Sequence, residues 1–451
     1  MNDIGTTRNG AVRRPNVLLV ISHDTGRALS PFGWECVDTP AAERLAREGL
    51  VFERAFCTSP QCCPARGSLV TGRWPQRNGL LCLMGDSLHA KERTLGTYLQ
   101  SAGYATWLLG LQHEAPEFSP YPDGNAAIAA RLGFDHVDVD VDRWWPATAD
   151  DLDGLLAGRD AAQPFFCQVG SFATHRPFNF HGICPDERQG VHLPGYCAHL
   201  GATGEQTRRD FAAFQGMVRH YDQGLGRILD VLDRRGCVED TLVIVTTDHG
   251  EPFPRAKGTL YDPGIGVAML MRWPGGGWSG GRRLDAMVSH LDILPTVLTT
   301  AGLQVPEDCD GTDLAPLIEG RVERLRDYSF AQKTVHDCYD PVRSVRSDRY
   351  KLIMNFERMS MQSVPGDCRG GMFREMRVHR GTVLGELYDL RDDPWETRNR
   401  FDDPDLTTIQ AEHLAALSGW MHAVDDPLLG LPPMTPHHRA ARALLPEPGP
   451  A

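Results

Sequence analysis

The chain has 451 residues, of which 41% are hydrophobic and 23% are charged, and this composition is typical of folded globular proteins rather than disordered chains. Its 46 basic and 59 acidic side chains give a formal net charge of −13. That charge argues against general binding to nucleic acid or to anionic membranes, because both need a basic face. An anionic substrate would have to meet positive charge concentrated in a local pocket.

Short apolar runs alternate with helical patterns through about the first 325 residues. The runs predict buried strands at Val17–Ile21, Ala105–Leu109, Phe165–Val169, Leu242–Thr246 and Ala268–Met271. The patterns between them predict helices at Pro40–Glu48 (with Thr39 as its N-cap), Thr94–Ala102, Asp210–Asp233 and His290–Ala301. This alternation predicts an α/β fold, with a mostly parallel sheet sandwiched by helices.

The pattern changes after Arg324. Strands are predicted at Arg343–Phe356 and Glu386–Leu390 without helices between them, and Leu406–Ala423 reads as an amphipathic helix. These elements predict a smaller C-terminal antiparallel sheet with a helix. The proline-rich end predicts an extended tail. We expect a catalytic domain at residues 1–325, a C-terminal subdomain at 326–430 and the tail at 431–451.

No segment approaches the roughly 18 apolar residues of a transmembrane helix. Arg13 and Arg14 precede the apolar run Val17–Ile21, which superficially resembles an export signal. The run is shorter than the signal core of about 7–15 residues, so it is interpreted as the first core strand. Without an export signal, the 12 cysteines suggest reduced thiols. The sequence therefore predicts a cytoplasmic protein with no membrane partner.

A carboxylate comes after each of two predicted strands, Asp24 after the first and Asp248 after Leu242–Thr246. Ligands of open parallel sheets bind beyond such strand ends. Each aspartate also has a histidine neighbour, His23 or His249, and both residue types bind divalent cations. The two pairs predict a shared metal site. The alternative is that each aspartate only caps the loop or helix after it.

The segment Ser59–Arg73 (SPQCCPARGSLVTGR) contains candidates for a nucleophile. If it leads into a helix, Cys62 lies near free backbone amides and the positive end of the helix macrodipole, which favour an anion or a thiolate. The alternative is a pair of buried thiols, Cys62 and Cys63, beside a turn. A redox pair is not expected, because adjacent cysteines form a strained disulfide.

The run Cys62-Cys63-Pro64-Ala65-Arg66 resembles the Cys-x-Pro-x-Arg motif of type I sulfatases. Other segments similar to this family are Asn16–Asp24, Leu69–Arg73, Thr246–Gly250 and Tyr261–Gly264. Segments most similar to its heparan N-sulfatase (N-sulfoglucosamine sulfohydrolase) branch are Pro252–Tyr261, Arg343–Arg346 and Glu386–Asp389. The likeness extends from Pro15 to Pro427 and implies an alkaline-phosphatase-like fold.

The resemblance implies a sulfuric ester or sulfamate hydrolase that acts on a sulfated sugar, such as the glucosamine of a glycosaminoglycan. A formylglycine-generating enzyme would oxidise Cys62 to formylglycine. The hydrated aldehyde would attack sulfur, expel the alcohol or amine, and then eliminate sulfate without attack by water. The metal ligands implied by the resemblance are His23, Asp24, Cys62, Asp248 and His249.

The resemblance also implies a role for each of four further residues. Arg66 would hold the hydrated aldehyde, and His113 would be the base that drives sulfate elimination. His175 would contact the sulfate and the leaving group. Lys257 would bind sulfate oxygens and assist the leaving group.

Two residues depart from the family pattern. His23 stands where the family usually has an acid, and this exchange weakens a calcium site and makes Mn²⁺ or Zn²⁺ more plausible. Leu111 stands where the family usually has a lysine that stabilises the sulfate, and losing such a donor could cost about 3–4 kcal/mol. Arg73, Arg77 and Lys257 are candidates to replace its charge.

Two other functions stay open at this point. A related family of phosphonate monoester and phosphodiester hydrolases also uses an oxidised cysteine, and its metal site contains an Asp-His pair like Asp248-His249. A catalytically weakened protein could bind sulfated glycans without hydrolysing them. The presence of all five catalytic candidates argues against simple binding.

Overall fold

The computed structural model describes residues 14–82, 86–116, 124–179, 182–183, 185–186, 190–359, 363–378, 381, 383–430 and 435–447. Nine strands form one large mixed sheet. They are β1 (Asn16–Ser22), β2 (Leu50–Phe56), β3 (Ala105–Gly110), β4 (His136–Asp138), β5 (Phe165–Ser171), β6 (Thr241–Thr247), β7 (Gly266–Val267), β8 (Met269–Arg272) and β9 (Arg282–Ser289).

The strand order is β4-β3-β5-β1-β6-β8-β2-β7, with β9 beside β2. The run from β4 to β6 is entirely parallel, and β2 is parallel to β9, whereas β8 pairs antiparallel with β6 and β2. The predicted mostly parallel sheet is therefore confirmed. The central strands β1, β5 and β6 are buried along their whole length, because helices cover both faces of the sheet.

The helices that cover the sheet agree with most of the predicted helical segments. In chain order the α-helices are α1 (Pro40–Glu48), α2 (Cys62–Thr71), α3 (Pro75–Asn78), α4 (Leu95–Ser101), α5 (Gly124–Leu132), α6 (Thr148–Gly158), α7 (Gly195–His199), α8 (Glu205–Arg234), α9 (Asp262–Ile265), α10 (Ile293–Thr300), α11 (Ala315–Ile318), α12 (Gly371–Glu375), α13 (Thr407–Ala423), α14 (Pro427–Gly430) and α15 (Pro436–Leu444).

Helix α1 begins after Thr39 as predicted, but the Thr39 side chain does not cap it. The Thr39 hydroxyl instead accepts a hydrogen bond from the Ser30 amide (2.9 Å). The backbone amides of Ala41 and Ala42, which have no partner within α1, donate to the two carboxylate oxygens of Asp222, each at 2.9 Å. Asp222 lies on α8, so a long helix caps a short one across the sheet face.

The C-terminal part contains an antiparallel sheet of β10 (Ser329–Val335), β11 (Tyr339–Arg346), β12 (Tyr350–Asn355) and β13 (Gly385–Asp389), in that order. The predicted segment Arg343–Phe356 is two strands joined by a turn, because the Ser347 hydroxyl accepts a hydrogen bond from the Tyr350 amide (3.1 Å) and reverses the chain. Helix α13 packs on this sheet as predicted, with buried Leu414, Leu417 and Met421 facing it.

The prediction of an extended tail is wrong for α15. This helix has a regular N-terminus, because the Thr435 hydroxyl accepts a hydrogen bond from the His438 amide (3.0 Å) and Pro436 occupies the first turn. Ala441 is buried in the apolar cluster beneath the small sheet. The short helix was missed because the prolines around it favoured an extended chain in the sequence-based prediction.

The carboxyl ends of β1, β5 and β6 lie side by side, since Ser22 pairs with Ser171 on one side and with Thr247 on the other. Side chains just beyond these three strands therefore meet at one edge of the sheet. None of the described helices has the length and apolar character needed to cross a bilayer.

Candidate active site

Asp24 and Asp248 connect the carboxyl ends of β1 and β6 through hydrogen bonds. The Asp24 amide donates to Asp248 Oδ1 (2.8 Å), and the Asp248 amide donates to the Ser22 carbonyl (3.1 Å). Asp24 has a φ of 52°, a left-handed conformation that few residues other than glycine adopt. This turn brings its carboxylate back over the end of β1. Both aspartates are completely buried.

His249 places its second ring nitrogen, Nε2, at the same end of the sheet. Its Nδ1 donates to the Gly250 carbonyl (3.0 Å), which fixes the tautomer. Its Nε2 then lies 3.1 Å from Asp24 Oδ1 and 3.4 Å from Cys62 Sγ. A ring oriented by a backbone carbonyl in this way is typical of histidines that bind metals.

His23 also faces the cluster. Its Nδ1 lies 2.6 Å from Asp24 Oδ1 and 3.4 Å from Asp248 Oδ2. Its Nε2 is buried and has no hydrogen-bond partner among the described residues. The rings of His113 and His175 meet the His23 ring edge-on, at centroid distances of 5.1 and 4.7 Å. The side chain therefore lies inside the site and not in the apolar core.

A divalent cation fits this donor set. One ligand atom from each of His23, Asp24, Cys62, Asp248 and His249 lies within 4.8 Å of the others, and all five residues are buried. The pKa of Asp24 is held well below its usual range: burial opposes this shift, but the charges of His23 and Lys257 outweigh it. Two buried anionic carboxylates and an available imidazole nitrogen are ligands that suit such a cation.

Cys62 is the first residue of α2, so the helix predicted from the sequence is present. The structure does not favour the thiolate suggested by the sequence, because burial raises the pKa of the Cys62 thiol well above its usual value. Desolvation, together with the charges of Asp24 and Asp248, outweighs the opposing charge of the nearby Lys257. Cys63 is also buried, and no cysteine in the described ranges forms a disulfide.

Arg66 lies one turn along α2 from Cys62, on the same helix face. Its Nε donates to Asp248 Oδ2 (3.1 Å), and it is completely buried. One terminal nitrogen, Nη1, makes no hydrogen bond within the described part of the protein and lies 3.8 Å from Glu114 Oε1. Arg66 thus has a donor available for a group at the site.

His113 lies beside the cluster, with its ring 5.1 Å from that of His23. Its amide donates to Glu114 Oε2 (2.8 Å), while Glu114 Oε1 accepts a hydrogen bond from Gln168 (2.9 Å). Burial lowers the pKa of His113 well below its usual value. A neutral imidazole can accept a proton, as a general base must.

His175 and Lys257 meet on the open side of the site. Lys257 Nζ donates to Asp24 Oδ2 and to Asp367 Oδ2, both at 2.7 Å. His175 Nε2 lies 3.8 Å from Asp24 Oδ2 and 3.5 Å from Asp367 Oδ2. Burial lowers the pKa of His175 to about 4, although its side chain keeps 20% of its surface exposed.

The structure brings together every site residue predicted from the sequence, but two of the suggested replacements for the missing lysine are elsewhere. Arg73 and Arg77 lie beyond the far end of α2 and pair with Asp308 and Asp310. Lys257 is the suggested cation that lies at the site. Leu111 is buried and lines a separate small cavity next to Arg143.

Two acidic residues of the site were not predicted from the sequence. Glu114 directly follows His113, and this adjacency to a candidate base was a signal for it. Asp367 lies more than a hundred residues from Lys257 and has no local motif, so the sequence pattern held no signal for it.

Two family models match the chain. The model described as "Sulfatase" matches residues 15–303, which is more than half of the chain. The model described as "N-sulphoglucosamine sulphohydrolase, C-terminal" matches residues 253–364. Human N-sulphoglucosamine sulphohydrolase is 27% identical over 482 aligned residues, which cover 93% of this chain and 92% of the human protein.

Solved structures share the fold. A structure described as a complex with its substrate D-glucosamine-2-N,6-O-disulfate has a TM-score of 0.70 and 18% identity, covering 92% of this chain and 99% of that one. The phosphonate monoester hydrolase of Agrobacterium radiobacter has a TM-score of 0.67 and 23% identity, covering 90% and 95%.

Proposed function

The chain belongs to the sulfatase family of sulfuric ester hydrolases, and we propose that it hydrolyses a sulfate ester or sulfamate on a sulfated sugar. The observation that carries the proposal is Cys62 at the start of α2, with its Sγ 3.4 Å from His249 Nε2, inside the buried cluster of potential metal ligands. The human relative is named for an N-sulfated glucosamine, which supports a sulfated amino sugar as the first substrate to test.

The proposed nucleophile derives from Cys62 after oxidation by a formylglycine-generating enzyme. The resulting aldehyde hydrate would supply one hydroxyl to attack sulfur and a second whose deprotonation releases sulfate. Burial raises the pKa of the unmodified Cys62 thiol, and a protonated thiol is a poor nucleophile, so the proposed chemistry depends on the conversion.

Each surrounding residue has a task that its contacts support. Arg66, whose Nη1 makes no hydrogen bond to any described residue, would hold the hydroxyl groups and offset their charge. His113, neutral and buried, would accept the proton whose loss releases sulfate. Lys257 would bind sulfate oxygens, and His175 would contact the leaving group from the exposed side.

A divalent cation held by His23, Asp24, residue 62, Asp248 and His249 would lower the pKa of the attacking hydroxyl and polarise the sulfate. The family resemblance points to Ca²⁺. Because His23 supplies a nitrogen in place of a carboxylate oxygen, Mn²⁺ and Zn²⁺ are the alternatives.

Phosphonate monoester hydrolysis is the second candidate. It is supported by the Asp248-His249 pair among the potential metal ligands. His23 and Leu111, which depart from the sulfatase pattern, leave it open. Binding of sulfated glycans without hydrolysis is the third candidate. Measurable hydrolysis of any of the test substrates would exclude it.

The test measures rates of hydrolysis. The protein is produced together with a formylglycine-generating enzyme and is supplied with Ca²⁺, Mn²⁺ or Zn²⁺ in separate assays. The substrates are an aryl sulfate, N-sulfoglucosamine and a phenyl phosphonate monoester. We expect kcat/KM to be highest for a sulfated substrate. A higher kcat/KM for the phosphonate ester would instead support the second candidate.

A further inference from the structure

A loop from the C-terminal part of the chain reaches the catalytic edge of the large sheet; we call residues 363–372 the Asp367 loop. Pro365 packs on Gly258, next to Lys257. Gly258 has a φ of 77°, and a Cβ there would lie 2.8 Å from Pro365 Cγ, so this close approach requires glycine. The Gly366 amide donates to Asp337 Oδ2 (2.6 Å).

The other end of the Asp367 loop is anchored beside His175. The Met372 amide donates to Asp210 Oδ2 (3.1 Å). Asp210 in turn accepts two hydrogen bonds from Arg176, at 2.8 and 2.7 Å, and Arg176 directly follows His175 in the chain. The loop is therefore held on both sides of the site, against the neighbours of the two residues expected to meet the sulfate and its leaving group.

These anchors place Asp367 between Lys257 and His175. Its Oδ2 accepts a hydrogen bond from Lys257 Nζ (2.7 Å) and lies 3.5 Å from His175 Nε2, while its side chain is 25% exposed. An ammonium group has three donors. Within the described ranges, Asp24 and Asp367 accept two of them, which leaves one for a sulfate oxygen.

We propose that Asp367 is a specificity-determining residue for the sulfated substrate. This inference rests on the proposed function of the same site. A sulfate group bound by Lys257 brings the atoms next to the sulfated position against the exposed part of the Asp367 carboxylate. A carboxylate accepts hydrogen bonds from hydroxyl or ammonium groups and repels a second sulfate or carboxylate.

The substrate class selected is therefore a sulfate whose neighbouring position carries a hydroxyl or amine. A substrate with a second anionic group at that position is rejected. The acidic Asp337, 40% exposed on the chain segment that supports the Asp367 loop, adds to this preference. The Asp367 carboxylate attracts a neighbouring hydroxyl or ammonium group and repels a second anionic group, and specific sites commonly combine both effects.

The test compares two small substrates, 2-hydroxyphenyl sulfate and 2-carboxyphenyl sulfate, by release of the phenol. The ratio of their kcat/KM values is measured for the wild type and for Asp367→Asn. Differences in leaving-group chemistry cancel when the two ratios are divided. We expect Asp367→Asn to lower the preference for the hydroxyl compound by about tenfold or more, which corresponds to about 1.4 kcal/mol.

The matched control is Asp308→Asn, which removes one negative charge at the far end of α2, where Asp308 pairs with Arg73. It should leave the ratio unchanged. Equal losses of kcat/KM for both substrates in Asp367→Asn would overturn the proposal, because they would mean that the residue only positions Lys257.

Binding measurements separate this proposal from the proposed function. In Cys62→Ala protein, calorimetry with the two aryl sulfates measures affinity without turnover. Tighter binding of the hydroxyl compound, lost in Cys62→Ala/Asp367→Asn, supports the inference. Equal affinities, or binding of neither compound, overturn it. The proposed function is judged separately, by turnover of N-sulfoglucosamine in the wild type.

Discussion

The buried candidate active site and the Asp367 loop meet within hydrogen-bonding distance but are built differently. Asp24, Asp248 and His249 are fully buried at the ends of β1 and β6, and their backbone hydrogen bonds are part of the sheet edge. Asp367 is 25% exposed on a short loop that a few side chains and one glycine contact hold in place. The core of the fold therefore fixes the proposed reactive groups, whereas Asp367, the proposed substrate-facing group, can change without disturbing that core.

The two regions also differ in how strongly charges act on each other. At the centre, buried opposite charges set the protonation states: burial opposes ionisation of Asp248, but His23 and His249 hold its pKa well below the usual range. At the loop, water reaches Asp367, and the effect of its charge is more strongly screened. Substitutions at the centre should consequently have larger effects than substitutions at the loop.

The largest expected effect is that of Cys62→Ala. Loss of the nucleophile should lower kcat by about 10⁴–10⁶-fold. Cys63→Ala is the matched control, since the neighbouring thiol is equally buried but lies at the wrong position for Pro64 and Arg66. It should keep most of the activity on an aryl sulfate. Loss of turnover in Cys63→Ala with retention in Cys62→Ala would reverse the assignment.

The second effect is that of His113→Ala. If His113 removes the proton that releases sulfate, the variant should release one equivalent of alcohol rapidly and then turn over about 10²–10⁴-fold more slowly. Stopped-flow measurement of the alcohol and the mass of residue 62 should show a burst and a retained sulfuryl group. An unchanged steady-state rate would exclude this role.

The third effect concerns metal affinity. His23→Ala should weaken the binding of every metal by at least about 10-fold, because the site would lose a nitrogen donor and even residues that only support ligands contribute about 10–100-fold. His23→Asp should restore an oxygen ligand and shift activity toward Ca²⁺. Titration of metal-stripped protein with Ca²⁺, Mg²⁺, Mn²⁺ and Zn²⁺ measures both. Identical metal rankings in the wild type and the two variants would reject His23 as a ligand.

The smallest expected effect is that of a substitution at Asp222, which lies away from both regions. Asp222→Ala removes the acceptor for the first amides of α1, and should lower the free energy of unfolding by about 1–2 kcal/mol without changing kcat/KM. Urea unfolding and the aryl sulfate assay measure the two quantities. A large loss of activity in a folded variant would show that the scaffold and the centre are coupled more tightly than proposed.

Asp222 also gives a dependence on pH. Burial raises its pKa to about 7, although the amides of Ala41 and Ala42 favour the charged form. In the unfolded chain the pKa is about 4, so the unfolded state loses this proton first as the pH rises. Its contribution to stability is therefore complete below about pH 4 and is lost by about pH 7. Asp222→Asn should lack this decline, as urea unfolding across this pH range would show.

The difference between the two regions also explains how much could be predicted from the sequence. Apolar runs predicted β1, β5 and β6, and the carboxylates after β1 and β6 predicted the cluster of potential metal ligands, because the end of a strand fixes the position of the next residues. The turn at Ser347 and the short helix α15 were missed, since each depends on one side-chain hydrogen bond. Asp367 could not be found, because it is brought to Lys257 by tertiary contacts such as the packing of Pro365 on Gly258.

The most direct test of the proposed mechanism is the mass of the peptide containing residue 62, measured alongside specific activity in the same preparations. Co-production with varied amounts of a formylglycine-generating enzyme should give different ratios of aldehyde to thiol at that residue. We predict that kcat on N-sulfoglucosamine or an aryl sulfate rises in proportion to the aldehyde fraction and is negligible without it. Full activity in a preparation whose Cys62 is entirely thiol would contradict the proposed mechanism.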